Sequence, residues 1–234
     1  MTSKRILILA NSTKHHPMRC VAGRAFAEDS AGSAEWKEWV RPVSNHDEGA
    51  LSPRERMLQG GTDPRPLDVV QIPLLQRNLT PLQPENWLVD GDAPWTKVTE
   101  WQRSDLTPLI EHPSDLWIDR SQRSDRASDA ALSQLPNFQS LYLVRPEGFY
   151  FQIRSKVWNG YSRKQIRGIF NYRGRYYDLP VTDPLIGQRY FPDFPGTAEG
   201  IINVAQPHGI ALCVSLTPPF EGFHYKVIAT VFEL

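Results

Sequence analysis

Apolar residues in this chain occur in short runs that are typical of β-strands rather than of helices. Lys4–Ala10 (KRILILA) is one such run, and polar residues from Asn11 onward end it, which predicts a buried central strand. Gly23 interrupts a second run and indicates a bulge or a close approach of two backbones. The strands predicted in the first part of the chain are Lys4–Ala10, Arg19–Ala27, Trp36–Val43, Asp68–Leu75 and Trp87–Val89.

One short helix is predicted between these strands. Ser52-Pro53-Arg54-Glu55 is a capping box with proline at the first helical position, and Gly60-Gly61 supplies the stop. The role of this helix is structural.

The strand pattern fades after Ala93. Thr96–Gln102, Ser104–Glu111 and Ser124–Leu135 each begin with a residue that can cap a short helix, and nearby prolines keep such helices short. We therefore predict a β-rich domain in residues 1–92, a helical or loop connection in residues 93–137, and a second β-rich domain in residues 138–234.

In the second domain apolar residues again occupy every second position, which predicts several short strands and no long helix. Asn171–Arg175 is a predicted hairpin turn in which Gly174 can take a positive φ. Phe149, Phe151 and Phe170 alternate as core candidates. The fold class is therefore mainly β, a β-rich α+β chain, and the second half suits a small barrel. Its predicted strands are Leu141–Val144, Phe149–Ile153, Gln165–Tyr172, Arg175–Leu179, Gly209–Leu216 and His224–Phe232.

Composition narrows the function classes. The chain has 234 residues and a formal net charge of zero, so it is not a polycation as a whole. Two cysteines, Cys20 and Cys213, are too few for a disulfide scaffold or a cysteine metal site. No apolar run has the length of a signal-peptide core or a membrane span. We expect a cytoplasmic protein with no membrane association.

Positive charge is concentrated locally instead. Leu141–Arg175 holds eight Lys or Arg and one acid, Glu147, with aromatic residues between them. Basic side chains attract phosphates and exposed rings stack on bases, although rings of this kind also form cores. Trp158–Tyr161 is predicted to be a loop tip, where rings are harder to explain as core. The candidate nucleic-acid-binding residues are Arg154, Lys156, Trp158, Tyr161, Arg163, Lys164, Arg167, Tyr172, Arg173 and Arg175.

The sequence signals for cofactor, metal, catalytic and nucleotide sites are weaker. The sequence contains no glycine-rich nucleotide loop, no Walker sequence and no HExxH, so we predict no cofactor, no metal and no catalytic residue. Polar residues at predicted strand ends in the first half could line a cleft for a base or nucleotide, or they could be ordinary loop residues. These residues are Asn11, Cys20, Arg24, Trp39, Arg41 and Asn86.

Several segments together resemble one family, the bacterial dual OB-containing proteins. The segments are KRILILANST, RCVAGR, WVRPVS, LDVVQIPL, QPENW, YRGRYYDLPVTDP and LCVSLTPPF followed by YKVIA. The resemblance follows the same order through nearly the whole chain. It implies two OB-like β-barrels in tandem and a role in nucleic-acid binding, and it supplies no catalytic residues.

The leading interpretation is a non-enzymatic protein that binds single-stranded DNA or RNA through the second half. One alternative is a nucleotide or modified-base pocket in the N-terminal half, serving a sensor or an enzyme. Another is an adaptor whose aromatic-rich loops bind a protein partner, because arginine and aromatic residues are also enriched at protein interfaces.

Overall fold

Strands dominate the structure, a computed structural model that describes residues 2–28, 34–80, 82–120, 124–158, 160–196, 198–203 and 209–234. The chain divides into two units, Met1–Leu109 and Ile110–Leu234. The division falls within the segment 93–137 that the sequence predicts to be a connection.

The first unit contains a closed five-stranded barrel among its described residues. Neighbouring strands follow the order β1-β2-β3-β5-β4, and β1 also pairs with β4, which closes the ring. β3 and β5 run parallel, with Arg41 beside Asn86. This order is that of the Greek-key OB barrel. The strands are β1 (Thr2–His15), β2 (Met18–Glu28), β3 (Ala34–Val43), β4 (Asp68–Arg77) and β5 (Asn86–Val89), with β6 (Thr96–Glu100) added at the edge of β4.

Two local signals of the sequence are confirmed in this barrel. Gly23 lies where a Cβ atom would come within 2.0 Å of the Leu7 carbonyl oxygen, so no side chain fits between β1 and β2 there. Helix α1 (Pro53–Arg56) carries the predicted capping box. The Ser52 amide donates to Glu55 Oε2 at 2.8 Å, and the Glu55 amide donates to Ser52 Oγ at 3.4 Å.

The helices predicted between residues 93 and 137 were mostly wrong. Thr96–Glu100 is strand β6, because the open edge of β4 offers it a ladder of backbone hydrogen bonds. Arg103–Leu109 is a 3₁₀-helix. Further on, Arg126–Ser128 forms strand β7, and only Asp129–Leu132 is α-helical, as α2. Ser128 does cap that helix by accepting a hydrogen bond from the Ala131 amide at 3.3 Å.

The second unit follows the order of the first in part. β9, β10 and β11 form an antiparallel meander and a helix follows, while Val181, just after β11, forms a parallel bridge with Ile228 of β14. Among the described strands β13 pairs with β14 and β8, so no β13–β9 pair closes a ring as β1 and β4 do in the first unit. One sheet has the order β11-β10-β9-β12 and the other β7-β14-β13-β8. The elements are β8 (Leu141–Val144), β9 (Glu147–Trp158), β10 (Tyr161–Tyr172), β11 (Arg175–Pro180), α3 (Pro184–Tyr190), β12 (Gly200–Asn203), β13 (Ile210–Leu216) and β14 (Phe223–Glu233).

Aromatic residues on one face of β9 and β10 build the core of this unit, as predicted. Phe149, Phe151 and Phe170 are buried, and the first two rings meet edge to face at 4.9 Å. Cys213 is also fully buried in β13. Gly174 takes φ of 71° at the predicted hairpin turn. The sequence interpretation missed α3, although Asp183 caps it at the Leu185 amide and Pro184 starts it.

Candidate nucleic-acid interface

Strand pairing sorts the basic and aromatic residues of the β9–β10 hairpin onto two faces. Residues opposite each other in an antiparallel pair point to the same side, and the side alternates along each strand. Arg163 is paired with Lys156, and the next positions on that face pair Gln165 with Arg154. The other face carries the buried phenylalanines. Arg154, Lys156 and Arg163 therefore lie on the outer face of the sheet.

The tip of this hairpin is exposed. The Tyr161 side chain is 73% exposed, and Val157 is 70% exposed. Lys156 and Arg163 lie directly opposite each other just behind Tyr161, both exposed. We call Lys156, Tyr161 and Arg163 the tip patch.

Two further arginines of this face are held by an acid on β11. Arg167 is buried, and its Nε donates to Asp178 Oδ1 at 2.8 Å, while Arg154 also donates to the Asp178 carboxylate. Desolvation opposes ionisation of Asp178, but the two arginine hydrogen bonds outweigh it and lower the pKa of the carboxyl. Arg167 thus supports the sheet, and Arg154, with a side chain 39% exposed, is the outer member of the pair.

The remaining candidates of the second unit are spread along β10. Lys164 points to the opposite face from Arg163, and its Nζ donates to the Gly196 carbonyl at 3.4 Å. Tyr172 is buried, and its hydroxyl donates to the Pro113 carbonyl at 2.9 Å, so its ring offers no stacking face. The Trp158 side chain lies outside the described residues, although its backbone ends β9.

Arg173 and Arg175 form a separate group, which we call the turn patch. Both are exposed at the β10–β11 turn. β10 runs from Tyr161 to Tyr172. At about 3.4 Å per residue, β10 is at most about 37 Å long, and the tip patch and the turn patch lie at its opposite ends. The sequence interpretation treated them as one surface, whereas the strand between them separates them.

The pocket candidates of the first unit lie on β1, β2, β3 and β5 of the barrel. Arg24 lies over the Trp39 ring at 5.7 Å, on neighbouring strands β2 and β3. Asn11 is buried in β1, where its Nδ2 donates to the Pro64 carbonyl at 2.7 Å. A groove of about 510 Å³ is present on this unit. Its described lining includes none of the six candidates and consists of Ser3, Lys4, Arg5, Ala25, Phe26, Ala27, Lys37, Glu38 and Gln71.

Cys20 and Arg41 do come close enough to interact electrostatically. Burial raises the pKa of the Cys20 thiol, and the charges of Arg41 and Lys14 offset only part of that effect. A raised pKa leaves little thiolate at neutral pH, which argues against a nucleophilic role for Cys20. Arg41 and Asn86 are buried neighbours in the β3–β5 pair, where their positions serve the closure of the barrel.

One polar cavity was missed at the level of the sequence. A pocket of about 450 Å³ in the second unit is lined by Arg120, Arg175, Tyr176, Tyr177, Asp119 and Lys226, among others. Lys226 is 1% exposed. The signal was present in HYKVIATVF, where Lys226 shares its side of the strand with Ile228, so alternation alone places this lysine on the inward side of β14.

The described part of the chain holds neither a cluster of metal ligands nor a membrane-spanning helix. Those residues include no group of three or more His, Cys, Asp or Glu side chains placed to hold a metal ion. They likewise form no helix of sufficient length and apolar character to cross a bilayer.

Comparison with a family model supports the fold. The model of the family described as the dual OB-containing domain matches residues 4–231. A murine DNA-binding protein solved with double-stranded DNA is similar over 99% of this chain and 97% of its own, at 9% identity and a TM-score of 0.31. A HINb domain is similar over 97% and 96% respectively, at 13% identity and a TM-score of 0.31. No curated protein matches.

Proposed function

The chain belongs to the dual OB-containing family, and from that premise we propose that its second unit binds single-stranded nucleic acid at the tip patch and along the outer face of β9 and β10. OB barrels bind oligonucleotides on the face of their second and third strands and on the adjoining loops. In the second unit the corresponding strands are β10 and β11, and the β9–β10 tip is the first of those loops.

The observation that carries this proposal is the tip patch itself. An exposed tyrosine ring stands beside two opposed cations, Lys156 and Arg163. A ring exposed to this extent can stack on a base, and the cations can contact the phosphates on either side of that base. Arg154, half-exposed beside Arg167, would extend the track of positive charge along the sheet.

A single strand fits this surface better than a duplex. Stacking on Tyr161 requires a base with a free face, and bases inside a duplex are already stacked on their neighbours. Both DNA and RNA single strands present such bases, so the proposal covers either polymer.

The proposal is tested by fluorescence anisotropy with labelled single-stranded DNA and RNA, titrated at several salt concentrations. Tyr161→Ala removes one stacked base, worth about 1–3 kcal/mol, so affinity should fall about 5- to 150-fold. The salt slope should not change. Lys156→Ala with Arg163→Ala should instead lower the slope of log K against log salt by about 1.4, at about 0.7 per phosphate contact in a single strand.

A matched control removes two exposed arginines from the first unit, Arg54→Ala with Arg103→Ala. This variant loses the same formal charge, so its slope reveals any contribution of net charge alone. If the control and the tip-patch double variant have equal slopes, the proposed location is wrong. If the unaltered protein binds no single strand at low salt, the proposed function is wrong.

A further inference from the structure

The pocket around Lys226 contains a buried cation that makes no direct ion pair with a described residue, although three aspartates attract it. Lys226 is 1% exposed, and within the described part of the chain its Nζ makes no hydrogen bond and no ion pair. Its closest recorded interaction there is with the Tyr177 ring, whose centre lies 5.7 Å away. Buried charges in proteins are normally paired, because an unpaired charge in the interior costs several kcal/mol. We call the cavity onto which this side chain opens the Lys226 pocket.

Three aspartates attract Lys226, namely Asp115, Asp125 and Asp119. Asp125 Oδ1 is buried and has no hydrogen-bond partner among the described residues, whereas the other two accept hydrogen bonds from neighbouring groups. Asp119 Oδ2 accepts hydrogen bonds from the Ser128 amide at 2.8 Å and from the Ser128 hydroxyl at 2.6 Å. Asp115 Oδ1 accepts one from the Ile118 amide at 3.0 Å. These carboxylates hold the segment that walls the pocket, and they attract Lys226 only from beyond ion-pair distance. Desolvation therefore dominates and lowers the pKa of Lys226 to about 8.

The described lining of the pocket holds three cations, Lys226, Arg120 and Arg175, and one acid, Asp119. Asp115 and Asp125 are close enough to act on the charge of Lys226 as well. Arg175 comes from the turn patch and Arg120 from the segment before β7, so separate parts of the chain bring cations to one cavity. Tyr176 stands at the rim with its side chain 58% exposed.

We propose that the Lys226 pocket binds a phosphate monoester, with Lys226 and the two arginines contacting the phosphate oxygens. A phosphate monoester has three terminal oxygens and close to two negative charges, which suits a buried ammonium with two guanidinium forks. At about 450 Å³ the pocket has room for a phosphate with its attached sugar.

A monoester of this kind could come from a free nucleotide or from the phosphorylated end of a strand. The inference does not depend on the tip patch, because a mononucleotide can occupy the pocket without touching the β9–β10 tip. Failure of either proposal therefore leaves the other standing.

Isothermal titration in a buffer free of phosphate and sulfate tests the inference. The probes are inorganic phosphate, adenosine, adenosine 5′-monophosphate, and one oligonucleotide with either a 5′-phosphate or a 5′-hydroxyl. Adenosine 5′-monophosphate, the 5′-phosphorylated oligonucleotide, or both should bind more tightly than the matching probe without phosphate. The tighter of the two phosphorylated probes identifies the source of the monoester.

Lys226→Met should weaken binding of the phosphorylated probe about 10- to 100-fold, as expected on losing a hydrogen bond to a charged group. Arg175→Ala should give a similar loss of affinity for the phosphorylated probe. Because Arg175 is exposed, a loss of affinity in this variant cannot be attributed to disruption of the core. Lys37→Met, an exposed lysine of the first unit, is the matched control and should bind as the unaltered protein does.

Two results would overturn the inference. One is that no phosphate-bearing probe binds better than its phosphate-free partner. The other is that both pocket variants bind the monoester as tightly as the Lys37→Met control does.

Discussion

Replacing Lys226 by methionine should stabilise the protein at neutral pH. Burial holds the pKa of Lys226 at about 8, against 10.5 for an ordinary lysine. In the unfolded chain the amine binds its proton more tightly than in the native protein. Keeping the native lysine charged at pH 7 therefore costs about 3 kcal/mol, at about 1.4 kcal/mol per pKa unit. Methionine has similar length and carries no charge, so the variant avoids this cost.

The sign of the pH dependence follows from the same pKa values. Between about pH 8 and pH 10.5 the unfolded chain holds a proton that the native protein has released, so stability of the unaltered protein rises with pH in this window. The advantage of Lys226→Met should accordingly shrink from about 3 kcal/mol at pH 7 to under about 1 kcal/mol at pH 10. Other titrating groups affect both proteins alike and cancel in the difference.

Urea unfolding of both proteins at several pH values between 7 and 10 measures this difference, in buffers without phosphate or sulfate. Lys37→Met serves as the control, because an exposed lysine should give no pH-dependent difference. The reasoning is refuted if Lys226→Met is less stable than the unaltered protein at pH 7. It is also refuted if the difference between the two proteins is the same at pH 7 and at pH 10.

Three smaller predictions concern support of the fold. Arg167→Ala should destabilise the second unit by about 2–3 kcal/mol in thermal or urea unfolding, because Asp178 loses its buried partner. The control Arg163→Ala should change the free energy of unfolding by under about 0.5 kcal/mol. Equal effects of the two substitutions would contradict a supporting role that is specific to Arg167. Ser52→Ala should cost about 1 kcal/mol through loss of the cap of α1, and a neutral result would mean that the cap is replaceable. The raised pKa of Cys20 should make its labelling by a thiol reagent at pH 8 slow in the native protein and fast in urea, as measured by mass spectrometry of the labelled peptide. Fast labelling of the native protein would contradict the raised pKa.

Features fixed by local chemistry were predictable from the sequence. The capping box at Ser52 needs only four adjacent residues, and Gly23 marks a close approach because no other residue fits there. Features fixed by tertiary contacts were not. Thr96–Glu100 has the capping signals of a helix, yet it forms a strand because β4 has an open edge beside it.

The candidate interface shows the same division. Composition identified the stretch from Leu141 to Arg175, but only the pairing register tells that Arg163 faces outward while Arg167 is held by Asp178. Tyr172 has the same composition signal as Tyr161, and its burial depends on contact with Pro113, which is distant in sequence. Lys226 could have been identified from alternation in β14, since period two is a local property of the strand.

The spacing along β10 decides how the two proposed sites relate within the second unit. The tip patch and the turn patch with the Lys226 pocket lie at opposite ends of a strand at most about 37 Å long. At physiological salt, charges more than about 8 Å apart are largely screened from each other. The cations at the two ends therefore act as separate electrostatic sites rather than as one field. A ligand that occupies both must be an extended polymer, whereas a mononucleotide can reach only one, and this difference in reach is why the two proposals can be tested with different probes.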